Sequence, residues 1–485
     1  MGNQSEDRNK VSLKNYKNKS KQQTKDLKAI KKRVVELSHS RDSWKKKYQA
    51  LQASTKLAKN STSLNFGIRP CKHHYPLGLI WLCVQFQLYA GVSFRSCRHC
   101  LIQFYLLLSL NYRVPSHVSI RNWACKCGYY RLKKIGLNQL KTVNNYAVIV
   151  DESISIGAER LLLVLGLPLD NWQFEKAASL ADIEVLSLRV SREWKSEQVS
   201  SVLSEVEKRY KIGYVVSDMG NNLLKSYQNN AYIHLPDITH IIARALERIY
   251  KKDALFIVMN QICGGLRRRW YLSKSAPLMP PSQRKKARFH NIFTLALWAK
   301  DIINIYQTLD HTHQQELHWI QANRVFIEEM LILRKVVSEL SELLKVQGFN
   351  TQTHQQAIQI LQICQTRRAL FFKNELEVYF NDLAQKQLMN PDLPLTLLCC
   401  SDVIESAFGK FKYKISPNSI GGITEFALTI ANFGRQFSKD EILKAMEAVK
   451  CEDLKKWRIE NDVPSLAKKR RDVFSQKQNA KILSI

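Results

Sequence analysis

The sequence predicts a mixed α+β protein, in which a small sheet-bearing domain is interrupted by a long helical segment. Three observations predict it. Between residues 145 and 236 short apolar runs recur, each closed by a turn or a polar residue, with one long amphipathic helical pattern among them. From Asp237 to about residue 390 the apolar spacing becomes that of helices throughout. The apolar share of 45% over 485 residues excludes wholesale disorder and allows two to four packed domains.

Charge narrows the partner. The chain carries 74 Lys and Arg against 42 Asp and Glu, a formal net charge of +32. An excess of this size points to a polyanion, nucleic acid or a membrane surface, because neutralising phosphates with Lys and Arg supplies most of that affinity. Residues 1–26 have no apolar core and so do not read as a secretory signal. The most apolar stretches, Tyr75–Val92 (broken by Gln85 and Gln87) and Leu101–Leu110, fall short of the ~20 clean apolar residues of a membrane span. Eleven cysteines without framework spacing suggest a reducing compartment. These features predict an intracellular, cytoplasmic protein that binds nucleic acid and no membrane.

Residues 1–60 form a basic arm with 17 Lys and Arg and 5 Asp and Glu, a net of +12. Within it Leu13, Tyr16, Leu27, Ile30, Val34, Leu37, Trp44, Tyr48 and Leu51 follow a heptad register, interrupted at Arg41. Such a seam favours a coiled coil, and the alternative is a solvated basic helix. Residues 70–140 read as a helical unit, with helices near 76–89 and 95–109, a break at residues 111–115, and a third helix from Ser116 toward Gly128. Helix, turn and a helix opening with small polar and basic residues predict a helix-turn-helix, in which His117, Ser119, Arg121 and Asn122 meet bases or phosphates. The pairs Cys97/Cys100 and Cys125/Cys127 lie inside these helices and not on knuckle turns, so they read as buried cysteines before zinc ligands.

The sheet is predicted from Tyr146–Val150, Arg160–Leu167, Ile183–Val190, Ile212–Ser217 and Tyr232–Leu235, with an amphipathic helix over Ser196–Tyr210. These residues, 145–240, make the first part of a catalytic domain. An all-helical insertion follows over 241–395, with helical patterns at 238–272, 288–308, 311–347 and 352–388. Its Pro-rich link ends in a basic run whose Arg284, Lys285, Lys286 and Arg288 are candidate DNA contacts. Residues 396–460 return to the catalytic domain on a helix bearing Glu405, and 461–485 are read as a basic flexible tail.

Asp151 and Asp218 each end an apolar strand, and Glu405 lies on the later helix. Three carboxylates gathered at one sheet edge would bind two divalent cations, which activate a water or 3′-hydroxyl and stabilise the leaving oxygen of a phosphodiester. Mg²⁺ suits such oxygen ligands, with Mn²⁺ as a substitute. The order strand-Asp, two strands, helix, strand-Asp, strand, then helix-Glu is the topology of a ribonuclease H-like fold.

From about residue 75 onward the chain resembles bacterial insertion-sequence transposases of the DDE class. The resemblance is carried by VIVDESISIG around Asp151, VVSDMGNNLLKSY around Asp218, HLPDITHIIARALE around Asp237 and His240, PPSQRKKARF at 280–289, and SDVIESAFGKFK around Glu405. Glu405 is followed seven positions on by Lys412, a spacing similar to the end of the family's signature helix, while the preceding Tyr and Arg are replaced by Leu398 and Ser401. The resemblance implies that Asp151 bridges two metals, that Asp218 and Glu405 each complete one site, and that Lys412 contacts a DNA-end phosphate. It implies a supporting or proton-handling role for Asp237 and His240, whose plain reading is a helix N-cap and its neighbour. It also makes Trp270 and Trp298 candidates for an aromatic wedge beside a displaced base. The implied activity is DNA cleavage and strand transfer at terminal inverted repeats, by a homodimer or larger synaptic assembly in the bacterial nucleoid. The alternatives are an inactive or domesticated transposase acting as a repressor, and a ribonuclease H-like nuclease.

Overall fold

A computed structural model describes residues 27, 34–46, 66–138, 145–152, 159–170, 172–282, 292–414, 422–434, 436–461 and 466–483. The chain divides into two compact units, Met1–Phe66 with Arg95–Ser116, and Gly67–Phe94 with His117–Ile485. In the first, residues 34–46 form helix α1, with Val34, Leu37 and Trp44 exposed. The heptad positions Leu13, Tyr16, Ile30, Tyr48 and Leu51 lie outside the described residues. The second unit opens with α2 (Leu77–Leu88), and α3 (Phe94–Leu107) belongs from Arg95 onward to the first. The predicted 70–140 domain is therefore divided between the two units.

The sheet of the second unit has the strand order β3-β2-β1-β4-β5, with β1 Tyr146–Glu152, β2 Arg160–Pro168, β3 Glu184–Ser191, β4 Ile212–Ser217 and β5 His234–Pro236. β2 pairs antiparallel with β1 and with β3, whereas β4 pairs parallel with β1 and with β5. A parallel partner needs a crossover, and α5 (Ser196–Glu207) supplies it between β3 and β4; α6 (Asn221–Asn229) links β4 to β5. The pleat sorts β1 into two faces. Tyr146, Val148 and Val150 pack with Val199, Leu203 and Val206 of α5 and Leu223 and Tyr227 of α6. Ala147 and Ile149 face the larger core, shared with the helical part of the chain.

α4 (His117–Asn138) runs past Gly128, where the sequence predicts its end. The reason is a close crossing: a Cβ on Gly128 would stand 2.0 Å from the carbonyl oxygen of Leu428, so glycine here admits a neighbouring backbone and does not stop the helix. The 3₁₀ stretch Glu425–Asn432 lies over this point, and Asn432 donates its side-chain amide to Ala124 O at 2.8 Å.

Beyond β5 the described chain is helical as predicted: α7 (Ile238–Tyr250), α8 (Ala254–Trp270), α9 (Phe293–Ile305), α10 (His311–Ala322), α11 (Arg324–Gln347), α12 (Thr351–Leu361) and α13 (Arg367–Met389). The run expected over 238–272 is two helices, because Asp253 caps the second by accepting from Phe256 N and also binds Arg368. Then come α14 (Asp402–Lys414), α15 (Lys439–Ala448), α16 (Cys451–Glu460) and α17 (Leu466–Leu483). The predicted flexible tail is thus helical from Leu466, in a stretch free of Gly and Pro and rich in Lys, Arg, Gln and Ala. No helix among the described residues is long and apolar enough to cross a membrane.

Candidate active site

Asp151 continues the alternation of Ala147 and Ile149, so its side chain leaves β1 on the face of the larger core. The parallel register sets Ile149 opposite Val216, which brings Asp151 level with Asp218 two residues further on. Tyr214 and Val216 belong to that same core, and Asp218 extends their alternation. Asp151 accepts from its neighbour Glu152 N at 2.7 Å, and Asp218 accepts from Gly220 N at 3.0 Å as the chain turns into α6. Glu405 stands in the first turn of α14, a helix packed against β1.

Electrostatics ties the three together. Burial pushes the Asp151 carboxyl up to about 7, the charge of Asp218 pushes the same way, and Glu405 adds to it; the Glu152 amide and His240 act in opposition. His240 is the counter-charge. Its Nδ1 lies 2.6 Å from Asp237 Oδ2, and that hydrogen bond, ahead of the opposing burial, lifts the imidazole to about 9, with Asp237, Asp218 and Glu405 adding attraction. The ring is therefore an imidazolium at neutral pH, beside an Asp151 carboxyl that burial makes reluctant to ionise.

The support beneath this site was only partly foreseen. Asp237 is the N-cap of α7, as its plain reading has it, but it does more than cap. Its Oδ1 accepts from both Thr239 N (3.3 Å) and Ser401 N (3.1 Å), while Ile238 N donates to Cys399 O at 2.9 Å. Leu398 N donates to the Tyr214 hydroxyl at 2.7 Å, and Phe349 and Leu397 exchange two backbone hydrogen bonds of 2.8 Å. Asp402, at the head of α14, accepts from Thr239 Oγ1 at 3.0 Å and pairs with Lys345 of α11. Residues 397–402 are so tied to β4 and to the start of α7, and the helix that carries Glu405 in its first turn begins from this fixed linker. Thr239, Lys345 and Tyr214 carry no sequence signal for this task, since each partner lies more than fifty residues away.

Asp237, Cys400 and Asp402 offer three donor atoms within 4.8 Å of one another. They do not suit a metal. Burial, then Asp237 and Asp402, raise the Cys400 thiol far above its usual range, so it stays protonated, and both carboxylates are already hydrogen-bonded as above. The carboxylates of Asp151, Asp218 and Glu405 offer oxygen donors alone, in a surplus of negative charge, which fits a hard divalent cation.

The other expected residues fall as follows. Lys412 is exposed in the last turn of α14, its Nζ 5.7 Å from the Phe408 ring centroid. His117 is exposed at the start of α4, and Ser119 and Asn122 are half-buried. Arg121, predicted to meet bases or phosphates, pairs with Glu425 at 2.8 Å. Arg284, Lys285, Lys286 and Arg288 lie outside the described residues. Trp270 is 3% exposed and donates to Glu316 Oε2 at 2.8 Å, and Trp298 donates to Leu278 O at 3.0 Å, so both indoles are anchored within the helical part. Cys125 and Cys127 are buried, and burial pushes each thiol up to about 12, in keeping with a packing role. Compared with known protein families and with curated proteins, the chain matches none.

Proposed function

We propose that this chain is a DDE-class DNA transposase with a ribonuclease H-like catalytic domain, interrupted by the helical segment between β5 and α14. The single observation that carries the reading is that Asp151 and Asp218 stand level at the ends of two parallel neighbours in the sheet β3-β2-β1-β4-β5, with Glu405 in the first turn of the helix packed against β1, and that Asp218 and Glu405 both act on the charge of Asp151. Acids that act on one another in a chain of net charge +32 support a role that the basic excess alone does not supply.

In this reading Asp151, at the centre of the sheet, would hold Mg²⁺ or Mn²⁺ together with Asp218 and Glu405. Bound there, such ions supply charge stabilisation of an in-line displacement at a phosphodiester. Asp237 fixes the His240 ring, whose imidazolium sets a positive charge beside the acids. Lys412, two turns along α14, would hold a phosphate of the DNA end. The substrate is double-stranded DNA carrying the element's ends, bound by a homodimer or larger assembly.

The test uses the purified full chain and duplexes cut from the DNA that flanks the coding region, where short inverted repeats are expected. Cleavage should require Mg²⁺ or Mn²⁺. Asp151→Ala, Asp218→Ala and Glu405→Ala should each lower it by on the order of 10³-fold, several kcal/mol of transition-state stabilisation, while leaving duplex binding in place. Undiminished cleavage by any of the three sinks the assignment. Binding without cleavage by the wild-type chain would instead favour a repressor.

A further inference from the structure

Helix α7 leaves the acidic site with His240 in its first turn, and its next exposed positions are cationic. Arg244 and Arg248 follow at intervals of four, and Lys251 and Lys252 close the helix, so all fall along one side. Arg244, Arg248, Lys251 and Lys252, with Glu247 among them, line a surface groove. Arg244 reaches back toward the site, its Nη1 2.6 Å from the sulfur of Met219, the residue after Asp218. Arg248 pairs with Glu375, and Lys251 with Glu247 at 2.9 Å, so four cations face two carboxylates.

Cations near a helix C-terminus complement the macrodipole, and that accounts for Lys251 and Lys252. It does not account for Arg244, mid-helix and turned toward Met219. Nor does a solvated face require a cation-lined groove whose first member, Arg244, touches the residue after Asp218. From His240 to Lys252 the ridge runs for about 18 Å at 1.5 Å per residue. That matches roughly five nucleotides of one strand at ~3.4 Å each.

We propose that this ridge on α7 carries the phosphate backbone of the nucleic acid as it passes out of the acidic site. The inference rests on the function proposed above and adds the path of the substrate. Exposed ion pairs such as Arg248–Glu375 are worth little, so phosphates can displace the carboxylates at small cost.

The decisive experiment measures binding of a fluorescent DNA duplex by anisotropy between 50 and 300 mM KCl, in EDTA. The variants are Arg244→Gln/Arg248→Gln/Lys251→Gln/Lys252→Gln, the milder Arg244→Gln/Lys252→Gln, and, as a charge-matched control, Lys468→Gln/Lys469→Gln/Arg470→Gln/Arg471→Gln. Each lost phosphate contact should lower the slope of log K against log salt by ~0.9. The quadruple ridge variant should lose about 3–4 and the double variant about 2, with unchanged melting temperatures. Wild-type slopes in both ridge variants, or an equal loss in the tail control, overturn the ridge. So does retained duplex binding with lost binding of poly-glutamate, which would assign the groove to an acidic protein. If the wild-type chain binds no duplex at all, it is the DNA reading itself that fails.

Discussion

Burial raises the pKa of Asp151 and the Asp237 hydrogen bond raises that of His240, and both shifts make stability depend on pH in one direction. Asp151 has its folded pKa raised to about 7, so the stability tied to its protonated form is complete below about 4 and lost as pH rises through 7. The imidazolium of His240, lifted to about 9, contributes stability that is complete below about 6.5 and lost as pH rises through 9. In EDTA the melting temperature should therefore fall between pH 6 and pH 9. Asp151→Asn should flatten the portion near pH 7, and Mg²⁺ at pH 8 should raise the wild-type melting temperature but not that of Asp151→Asn. A flat wild-type profile would contradict the coupling. Tyr214 gives a test of the support. Tyr214→Phe removes the acceptor of the buried Leu398 amide and should cost about 1–3 kcal/mol in urea unfolding. The three carboxylates were legible in the sequence because each stands at a recognisable place, two at strand ends and one on an amphipathic helix. Tyr214 reads in the sequence only as a strand residue. Its contact with Leu398 spans 184 positions, and no local pattern announces it.

Two glycines in helices separate packing from propensity. Gly128 of α4 has a carbonyl where its Cβ would be, whereas a Cβ on Gly409 of α14 meets nothing within 4 Å. Gly128→Ala should destabilise by at least 1–3 kcal/mol, since neither helix can withdraw from a fixed backbone. Gly409→Ala should stabilise by up to ~1 kcal/mol. Chemical denaturation of the pair checks both signs, and equal effects would mean that the crossing at Leu428 is not tight. The strands were readable to within a residue or two, because alternation and turn residues mark them locally. Helix boundaries were less so. Gly128 has the look of a stop and is a crossing point, and Asp253 sits inside a continuous apolar period while acting as a cap and an ion-pair partner of Arg368. In each case a distant partner decides what the residue does.

Across the whole second unit, early and late parts of the chain interleave. α2 and α4 pack with α15; Trp81 and Gln85 both donate to Phe437 O, and Arg131 donates to Gln436 O at 3.1 Å. Asn461 accepts from Val190 N at 3.0 Å and so holds the outer strand β3 from the far end of the sequence. A chain ending at residue 461 should fold and melt cooperatively, while one ending at 438 should lose cooperative unfolding, because α4 and β3 would be uncovered. Circular dichroism melts of the two truncations distinguish them, and similar melts would show that α15 and α16 are dispensable.

The placement of Glu405 has a further consequence in time. A ribosome adds roughly 5–20 residues per second, so the 187 positions between Asp218 and Glu405 take about 10–40 s to emerge. The two aspartates emerge early, but the third acid follows only after the helical segment, beyond a linker held by Tyr214 of β4 and Asp237 at the head of α7. A half-made or truncated chain thus lacks the third carboxylate of the proposed site until synthesis is nearly done.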